Sequence, residues 1–304
     1  MNVNGLSGFN NGGVIQAVGT GGTYSGLITQ GSGFAMIIGA AAGSTLNITG
    51  GIATANTTTF NAGAGGTINL SGGTFANGGA GGPNFTKIGK GDMVVSVASP
   101  AAVSPIINAL EGTLTFSGAG LIGTGSTVNA LVDVGATLTL DNTTTNVVNR
   151  LGGTTRTFQM RGGNFNLIGN TAANTSESLA APTFSRGYSV VTVTAQPGFQ
   201  ADLTFTGSIT NPVNAQNATS NGSTGASVLF RGTNLGSAAG AGVATIKDTG
   251  GTNGFNFFGQ SGANGTATKG IMPWALVDTT TTGNGVSFAT GDGTTFTTSI
   301  VRPL

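Results

Sequence analysis

Apolar and small polar residues alternate along several short segments of this chain. Such alternation places successive side chains on opposite faces of a β-strand, with one face buried and the other wet. The segments with this pattern are Ser44–Gly50, Gly66–Gly72, Gly112–Gly118, Ala136–Asp141, Gly163–Leu167 and Ala201–Gly207. The residues predicted to point inward include Leu114, Phe116, Leu138, Leu140, Phe165, Leu167, Leu203 and Phe205.

The spacing of these segments predicts how the strands are assembled. Leu46 and Ile68 are 22 residues apart, and Leu114 and Leu138 are 24 apart. A weaker copy of the pattern, Met93–Val95, lies between Ile68 and Leu114. Repeats of about 20–30 residues are too small to hold separate cores, so neighbouring repeats bury each other. We therefore predict an all-β fold, a right-handed parallel β-helix (β-solenoid) spanning 1–304. Segment 1–43 is a candidate N-terminal extension, and 266–304 is a candidate capping or assembly segment.

Three stretches break the strand pattern and predict loop insertions near 100–110, 170–180 and 211–224. The first, Pro100–Leu110, carries two prolines that limit any helix to one or two turns, so it predicts a short cap between rungs. The second, Asn170–Ser178, is polar. The third, Asn211–Thr224, contains the turn pair Asn221-Gly222.

The composition agrees with stacked strands and removes most catalytic chemistry. Glycine fills 56 of 304 positions, His and Cys fill none, and charged residues make up 6%. Identical positions of successive rungs lie about 4.8 Å apart, where like charges would repel and Asn, Thr and Ser can hydrogen-bond. Without His or Cys, thiol nucleophiles, His-based triads and His or Cys metal ligands are excluded. We expect no enzyme, no catalytic residues, no cofactor and no metal.

Two groups of side chains are candidate sites. Asp133 and Asp141, on adjacent predicted strands, are the best carboxylate pair for glycoside hydrolysis, against the alternative of two solvated corner residues. Contact with a glycan or a partner is the candidate role of four further residues, Arg150, Arg156, Arg161 and Trp274.

Each of these four residues also has a purely structural interpretation. The three arginines could be rim charges that keep the coil soluble, with Phe158 and Met160 facing inward and Arg161 outward. The Trp274 side chain would serve as a sugar platform if exposed, or seal the last coil if buried.

The charge balance and hydropathy exclude other partners. A net charge of +1 with scattered Lys and Arg predicts no nucleic-acid binding. No run of about 18 apolar residues occurs, so no membrane insertion is expected. The first residues contain neither a positively charged n-region nor an apolar h-region, and therefore predict no signal peptide here.

Part of the chain resembles a known family, the autotransporter-associated β-strand repeat. That family has a K-x-G-x-G-x-[LV]-x-[LV]-S strand pair followed by a G-T-L strand, which is similar to Thr86–Ser96, Gly112–Gly118 and Thr127–Leu140. The second half resembles the module often found with it in long bacterial surface proteins, in Arg161–Gly169, Phe230–Gly236, Gly270–Val277 and Val286–Thr290. The resemblance implies a right-handed β-helical passenger displayed outside the cell, with no catalytic residues.

Together these features predict a structural protein. Neither terminal segment carries a charged cap of the kind that stops solenoid ends from pairing, so we expect a subunit of a bacterial surface fibre, sheath or surface layer. It would be extracellular or at the cell surface and would self-associate into a homopolymer through its solenoid ends or terminal strands. The alternatives are an adhesin or passenger-type stalk that displays loops to surface glycans and, third, a β-helical polysaccharide-active enzyme.

Overall fold

The computed structural model describes residues 2–3, 15–30, 35–54, 56–77, 84–99, 105–123, 130–207, 225–249, 258–293 and 299–304. Over these ranges the chain is almost entirely β-structure. The exception is one turn of 3₁₀-helix, Gly153–Thr155, and the described residues contain no α-helix. The strands stack mainly in parallel, so the predicted β-solenoid is confirmed.

The chain divides into two compact units. Unit 1 comprises 1–140 and 150–156, and unit 2 comprises 141–149 and 157–304. The single continuous solenoid over 1–304 stays a prediction.

Unit 1 consists of short strands arranged in three parallel sheets. The strands are β1 (Asn2–Val3), β2 (Ile15–Ala17), β3 (Gly22–Tyr24), β4 (Ile28–Gln30), β5 (Met36–Ala40), β6 (Thr45–Ile48), β7 (Ile52–Thr54), β8 (Thr58–Ala62), β9 (Thr67–Leu70), β10 (Phe75–Asn77), β11 (Asn84–Ile88), β12 (Asp92–Val95), β13 (Ile106–Ala109), β14 (Gly112–Phe116), β15 (Ala130–Asp133) and β16 (Ala136–Asp141). Their orders within the sheets are β1-β4-β7-β10, β2-β5-β8-β11-β13-β15 and β3-β6-β9-β12-β14-β16. Three successive strands thus form the three sides of each of the first four coils, and the next two coils have two described strands each, β13 with β14 and β15 with β16.

The register of unit 1 follows the sequence repeat. Ile68 pairs with Leu46 on one side and with Met93 on the other, and Leu114 pairs with Met93 and Leu138. All five side chains are buried. The weak copy at Met93–Val95 is therefore a full rung, and the predicted repeat is confirmed within this unit.

Unit 2 begins with parallel rungs and ends with antiparallel strands. The strands are β17 (Phe158–Arg161), β18 (Asn164–Ile168), β19 (Thr175–Leu179), β20 (Pro182–Phe184), β21 (Tyr188–Thr194), β22 (Ala201–Phe205), β23 (Ser227–Gly232), β24 (Ala244–Asp248), β25 (Phe258–Ser261), β26 (Lys269–Asp278), β27 (Ser287–Asp292) and β28 (Ser299–Pro303). The parallel series are β17-β20, β18-β21-β23-β26 and β19-β22-β24. Strands β27 and β28 pair antiparallel between β26 and β24 and so join two of the series.

The interiors of both units are apolar, and all eight residues predicted to point inward are buried. In unit 1 the Phe85 ring lies 4.6 Å from Phe60 and 5.1 Å from Phe75, measured between centroids. In unit 2 the Phe158 and Phe165 rings lie 5.0 Å apart, nearly perpendicular. Stacked phenylalanines thus fill the coils, and edge-to-face pairs add a favourable quadrupole interaction to the buried area.

The corners of the coils approach each other too closely for most side chains. Gly73 has φ +66°, and a Cβ atom there would lie 2.5 Å from the carbonyl carbon of Gly50. A left-handed backbone and a close neighbouring chain both favour glycine at this position. The high glycine content therefore has a structural cause at such corners.

Two of the predicted loop insertions contain strands, and these predictions are wrong in part. Ile106–Ala109 pairs in parallel with β11 and β15, so it is a rung and not a helical cap. The reason is that Ile106 and Ile107 are β-branched and pair with neighbouring strands, which outweighs a weak helix preference.

In the second insertion, Thr175–Leu179 pairs with β22, and its buried positions are Thr175, Glu177 and Leu179. Because Thr175 and Glu177 are polar, this segment lacks the alternation of apolar and polar residues that predicts a strand. The third predicted insertion, 211–224, lies outside the described residues, as do the first residues of the 100–110 segment.

Candidate functional site

Arg150 is a buried structural side chain and not an exposed contact residue. Its Nη1 donates to the carbonyl oxygen of Gly120 at 2.6 Å, and its Nη2 donates to that of Gly118 at 2.9 Å. The side chain has no solvent exposure. Because guanidinium groups carry five donors in a fixed fork, one arginine can satisfy several carbonyls at a turn that lacks ladder partners.

Arg156 has the same role at another turn of unit 1. Its Nε donates to the carbonyl oxygen of Leu151 at 2.6 Å, and its Nη1 donates to that of Pro105 at 2.7 Å. Burial lowers the pKa of Arg156 to about 10, so the group stays protonated at neutral pH. The prediction of rim charges is wrong for Arg150 and Arg156, because both turn inward to pair backbone carbonyls.

Arg161 is the one member of the predicted arginine group that is not buried. On β17, Phe158 and Met160 are buried and Arg161 lies on the opposite face, as predicted. Its Nη2 donates to Gln159 Oε1 at 3.2 Å. Because Arg150 and Arg156 are buried, contact with a glycan or partner stays a prediction for Arg161 among the three arginines.

Trp274 is buried in unit 2, with 8% of its surface exposed. Its ring centroid lies 5.9 Å from that of Phe184, and its Nε1 has no hydrogen-bond acceptor among the described residues. A sugar platform needs an exposed ring face, which this residue does not provide. The buried interpretation is confirmed.

Lys87 is a structural side chain whose only sequence signal is its place in the motif Thr86–Ser96. It is fully buried, and its Nζ donates to three carbonyl oxygens, those of Ile88, Gly89 and Glu111, at 2.9, 2.7 and 3.1 Å. Burial lowers the pKa of Lys87 to about 8. The negative charges of Asp92 and Glu111 raise this pKa and so offset part of the effect of burial. The three donors of the ammonium group are all used.

The glycines of the same motif make room for this ammonium group. Gly112 has φ +67°, and a Cβ atom there would lie 2.9 Å from Lys87 Nζ and closer still to the carbonyl oxygen of Gly91. The Lys-x-Gly-x-Gly pattern at 87–91 therefore specifies a corner in which a buried lysine ties one rung to the next.

The two aspartates weighed as an acid–base pair are used in local turns. Asp133 Oδ1 accepts a hydrogen bond from the amide of Val134 at 2.8 Å. Asp141 Oδ1 accepts from the amide and the hydroxyl of Thr143. Such bonds are typical of Asp residues that fix turns. They give each carboxylate a structural role.

A polar cluster holds the antiparallel strands of unit 2 together. Asp292 accepts from Arg302 Nε at 2.6 Å and from the amide of Gly265 at 2.9 Å, and Lys269 Nζ lies 3.6 Å from its other oxygen. Burial of the Asp292 carboxyl favours a raised pKa. The hydrogen bond from Arg302 and the two cations outweigh it and hold the pKa below its usual range. The cluster links β26, β27 and β28.

Strands β1, β2 and β3 are the first described strands of the three sheets of unit 1, and we name them the first-coil edge. Each of the three has one described partner strand, β4, β5 and β6 respectively. In the adjoining turns Val18 and Leu27 are 64% and 47% exposed. Unpaired N–H and C=O groups on such an edge are a template for another strand.

The described residues contain no group of three or more His, Cys, Asp or Glu side chains that could hold a metal ion. They likewise include no helix long and apolar enough to cross a membrane. No family model, no curated protein and no solved structure matches this chain. What the fold supports is a β-solenoid repeat architecture, compatible with structural or adhesin-like roles.

Proposed function

We propose that this chain is a structural subunit of an extracellular assembly, a bacterial surface fibre, sheath or surface layer. The observation that carries the proposal is the stack of parallel rungs, whose sheets end, among the described residues, in strands with one partner each, such as β3 and β20. Strand addition at such an edge supplies main-chain hydrogen bonds without a dedicated binding pocket. Self-association into a homopolymer is the function this geometry supports best.

The charge distribution supports the same proposal. Natural proteins protect sheet edges with lysines and other charged residues. The first charged residue of this chain is Lys87, so the whole sequence before it is free of Asp, Glu, Lys and Arg. An edge without this protection is suited to pairing.

The structural use of buried cations argues against an enzymatic role. Lys87, Arg150 and Arg156 all donate to backbone carbonyls inside unit 1. Asp133 and Asp141 fix turns. We propose that the protein is not an enzyme and that its charged groups serve the fold.

Surface display is the part of the proposal that rests on the resemblance. The Lys-x-Gly-x-Gly segment at 87–91, which resembles the motif of the autotransporter-associated β-strand repeat, forms a rung corner. We propose that the chain is related to those passenger-type repeat proteins and is exported.

Electron microscopy of the purified chain over a range of concentrations tests the proposal. Ordered polymers or sheets are expected to form, and their formation should depend little on salt because the edge is uncharged. Immunogold labelling of intact cells should decorate the outer surface. Single rods at every concentration would contradict the structural proposal and favour the adhesin-like stalk, with loops that contact glycans.

A further inference from the structure

We propose that the side chains of Lys269 and Asn264 join in an intramolecular isopeptide bond, with Asp292 as the proton acceptor. The site connects the turn before β26 with the end of β27 in unit 2. The inference does not rest on the proposed function, and it gives the polar cluster around Asp292 a chemical role beside its structural one. The reaction occurs once in each chain and uses no external substrate.

The geometry brings the lysine amine close to the amide carbon of the asparagine. Lys269 Nζ donates to Asn264 Oδ1 at 2.6 Å. Because a C=O bond is about 1.23 Å long, Nζ lies within about 3.8 Å of Asn264 Cγ. Reacting atoms held about 3–3.5 Å apart are near the geometry of attack. Attack on this carbon therefore needs little movement of either side chain.

The amide group of Asn264 is held on both sides by one residue. The Gly293 amide donates to Asn264 Oδ1 at 3.3 Å, and Asn264 Nδ2 donates to the Gly293 carbonyl oxygen at 3.2 Å. Together these two hydrogen bonds fix the plane of the side-chain amide. The Gly293 N–H also points at the oxygen on which negative charge develops during attack, and so stabilises the tetrahedral intermediate.

The Asp292 carboxylate has one oxygen available to accept a proton. Its Oδ2 pairs with Arg302 Nε at 2.6 Å, whereas its Oδ1 is buried and has no hydrogen-bond partner among the described residues. Lys269 Nζ lies 3.6 Å from this Oδ1. A buried polar atom without a hydrogen bond calls for an explanation, and a proton-accepting role provides one. The oxygen faces the ammonium group that must lose a proton before it can attack.

The proposed step is a transamidation that balances without a further reactant. Asp292 takes one proton from the Lys269 ammonium group, and the neutral Nζ attacks Asn264 Cγ. A bond forms between Nζ and Cγ, a second Nζ proton passes to Nδ2, and the bond between Cγ and Nδ2 breaks to release ammonia. The ammonia then takes the proton held by Asp292. The products are a secondary amide and one ammonium ion.

Mass spectrometry of the full chain, followed over time after purification, tests the inference. The wild-type chain should become lighter than its sequence by one ammonia, and trypsin should not cleave after Lys269, because its amine is acylated. Lys269→Arg and Asn264→Ala should keep the full mass of their sequences. Asp292→Asn should form the bond at least about 100-fold more slowly, which is the effect of losing a positioned base. An unchanged rate in this variant would overturn the role of Asp292.

The matched control is Lys247→Arg in the same unit. Lys247 Nζ lies 3.0 Å from Asp202 Oδ2, so it is also a lysine beside a carboxylate. This variant should lose ammonia at the wild-type rate, within about threefold, since the two sites share no partner. Far-UV CD and thermal melting check that all variants fold. If Asp292→Asn is unfolded, Lys269→Arg decides the test, because it keeps the positive charge beside Asp292.

The variants also separate the isopeptide bond from a second route to the same mass. Asn264 precedes Gly265, and an Asn-Gly pair can lose ammonia by closing on the next backbone amide to a succinimide. Loss of ammonia that persists in Lys269→Arg would identify the succinimide and overturn the inference. A wild-type chain of full mass that trypsin cleaves after Lys269 would overturn it as well. Loss that requires both Lys269 and Asn264, with a tandem spectrum that links 264 to 269, would support it.

Discussion

The first coil of unit 1 and the last strands of unit 2 differ in how their edge strands are paired. The first coil presents three short parallel strands, with Val18 and Leu27 exposed beside them. Unit 2 instead joins β24 to β26 through antiparallel strands secured by Asp292 and its cations. The proposed self-association therefore places pairing at the first coil and not at the joined strands of unit 2.

The largest effect should come from a charge placed inside the coils of unit 1. Leu138→Asp puts a carboxylate at a fully buried position paired with Leu114, and should lower the free energy of unfolding by more than about 4 kcal/mol. Far-UV CD and thermal melting would show the loss. The control is Thr137→Asp, on the outward face of the same strand, which should cost less than about 1 kcal/mol. Normal melting of the Leu138 variant would reject the inward assignment.

Removing the buried cation of unit 1 should have the next largest effect. Lys87→Met leaves the carbonyls of Ile88, Gly89 and Glu111 without their donor and should cost about 2–4 kcal/mol. Denaturant unfolding measures the change. Lys90→Met, at an exposed position three residues away, should leave stability within about 0.5 kcal/mol of wild type. Equal effects of the two variants would contradict the role of Lys87 in pairing these three carbonyls.

Breaking the closure of unit 2 should have a smaller and more local effect. Arg302→Met removes the ion pair with Asp292 and the bond to the Thr266 carbonyl, at a cost of about 1–2 kcal/mol. Amide exchange should accelerate most in β27 and β28. Arg161→Met, which removes a partly exposed arginine elsewhere in unit 2, serves as the control and should leave exchange in these strands unchanged.

The pH dependence of unit 1 provides the finest test of its buried cation. The pKa of Lys87 is about 8 in the folded state and 10.5 in the unfolded state. Below about pH 8 both states hold the proton, and between these values only the unfolded state does. The contribution of Lys87 to the free energy of unfolding therefore rises with pH in this window. The difference between wild type and Lys87→Met, measured from pH 7 to 10, should show this rise, and a flat difference would contradict it.

The parts of the fold that repeat were predictable from the sequence, and the irregular parts were not. Alternation and spacing predict Leu114 and Leu138 in one buried column, because each rung there alternates apolar and polar residues in the same register. Strand β19 was missed because the buried positions of a strand need not be apolar, as Glu177 shows.

The roles of the candidate site residues depended on long-range contacts. Arg156 reaches the carbonyl of Pro105, 51 residues away, and no local pattern reports such a contact. The Lys-x-Gly-x-Gly motif was the one available signal for the lysine corner. The antiparallel pairing at the end of unit 2 was anticipated only in outline, as the candidate capping or assembly segment 266–304.

Hydrogen exchange measured by mass spectrometry at low and high protein concentration tests the central claim most directly. Segment 15–30, which includes β2 and β3, should become more protected at high concentration, while 287–292 in β27 should not change. Equal exchange of 15–30 at both concentrations, or protection that arises in β27 instead, would contradict the claim that the first coil is the pairing edge.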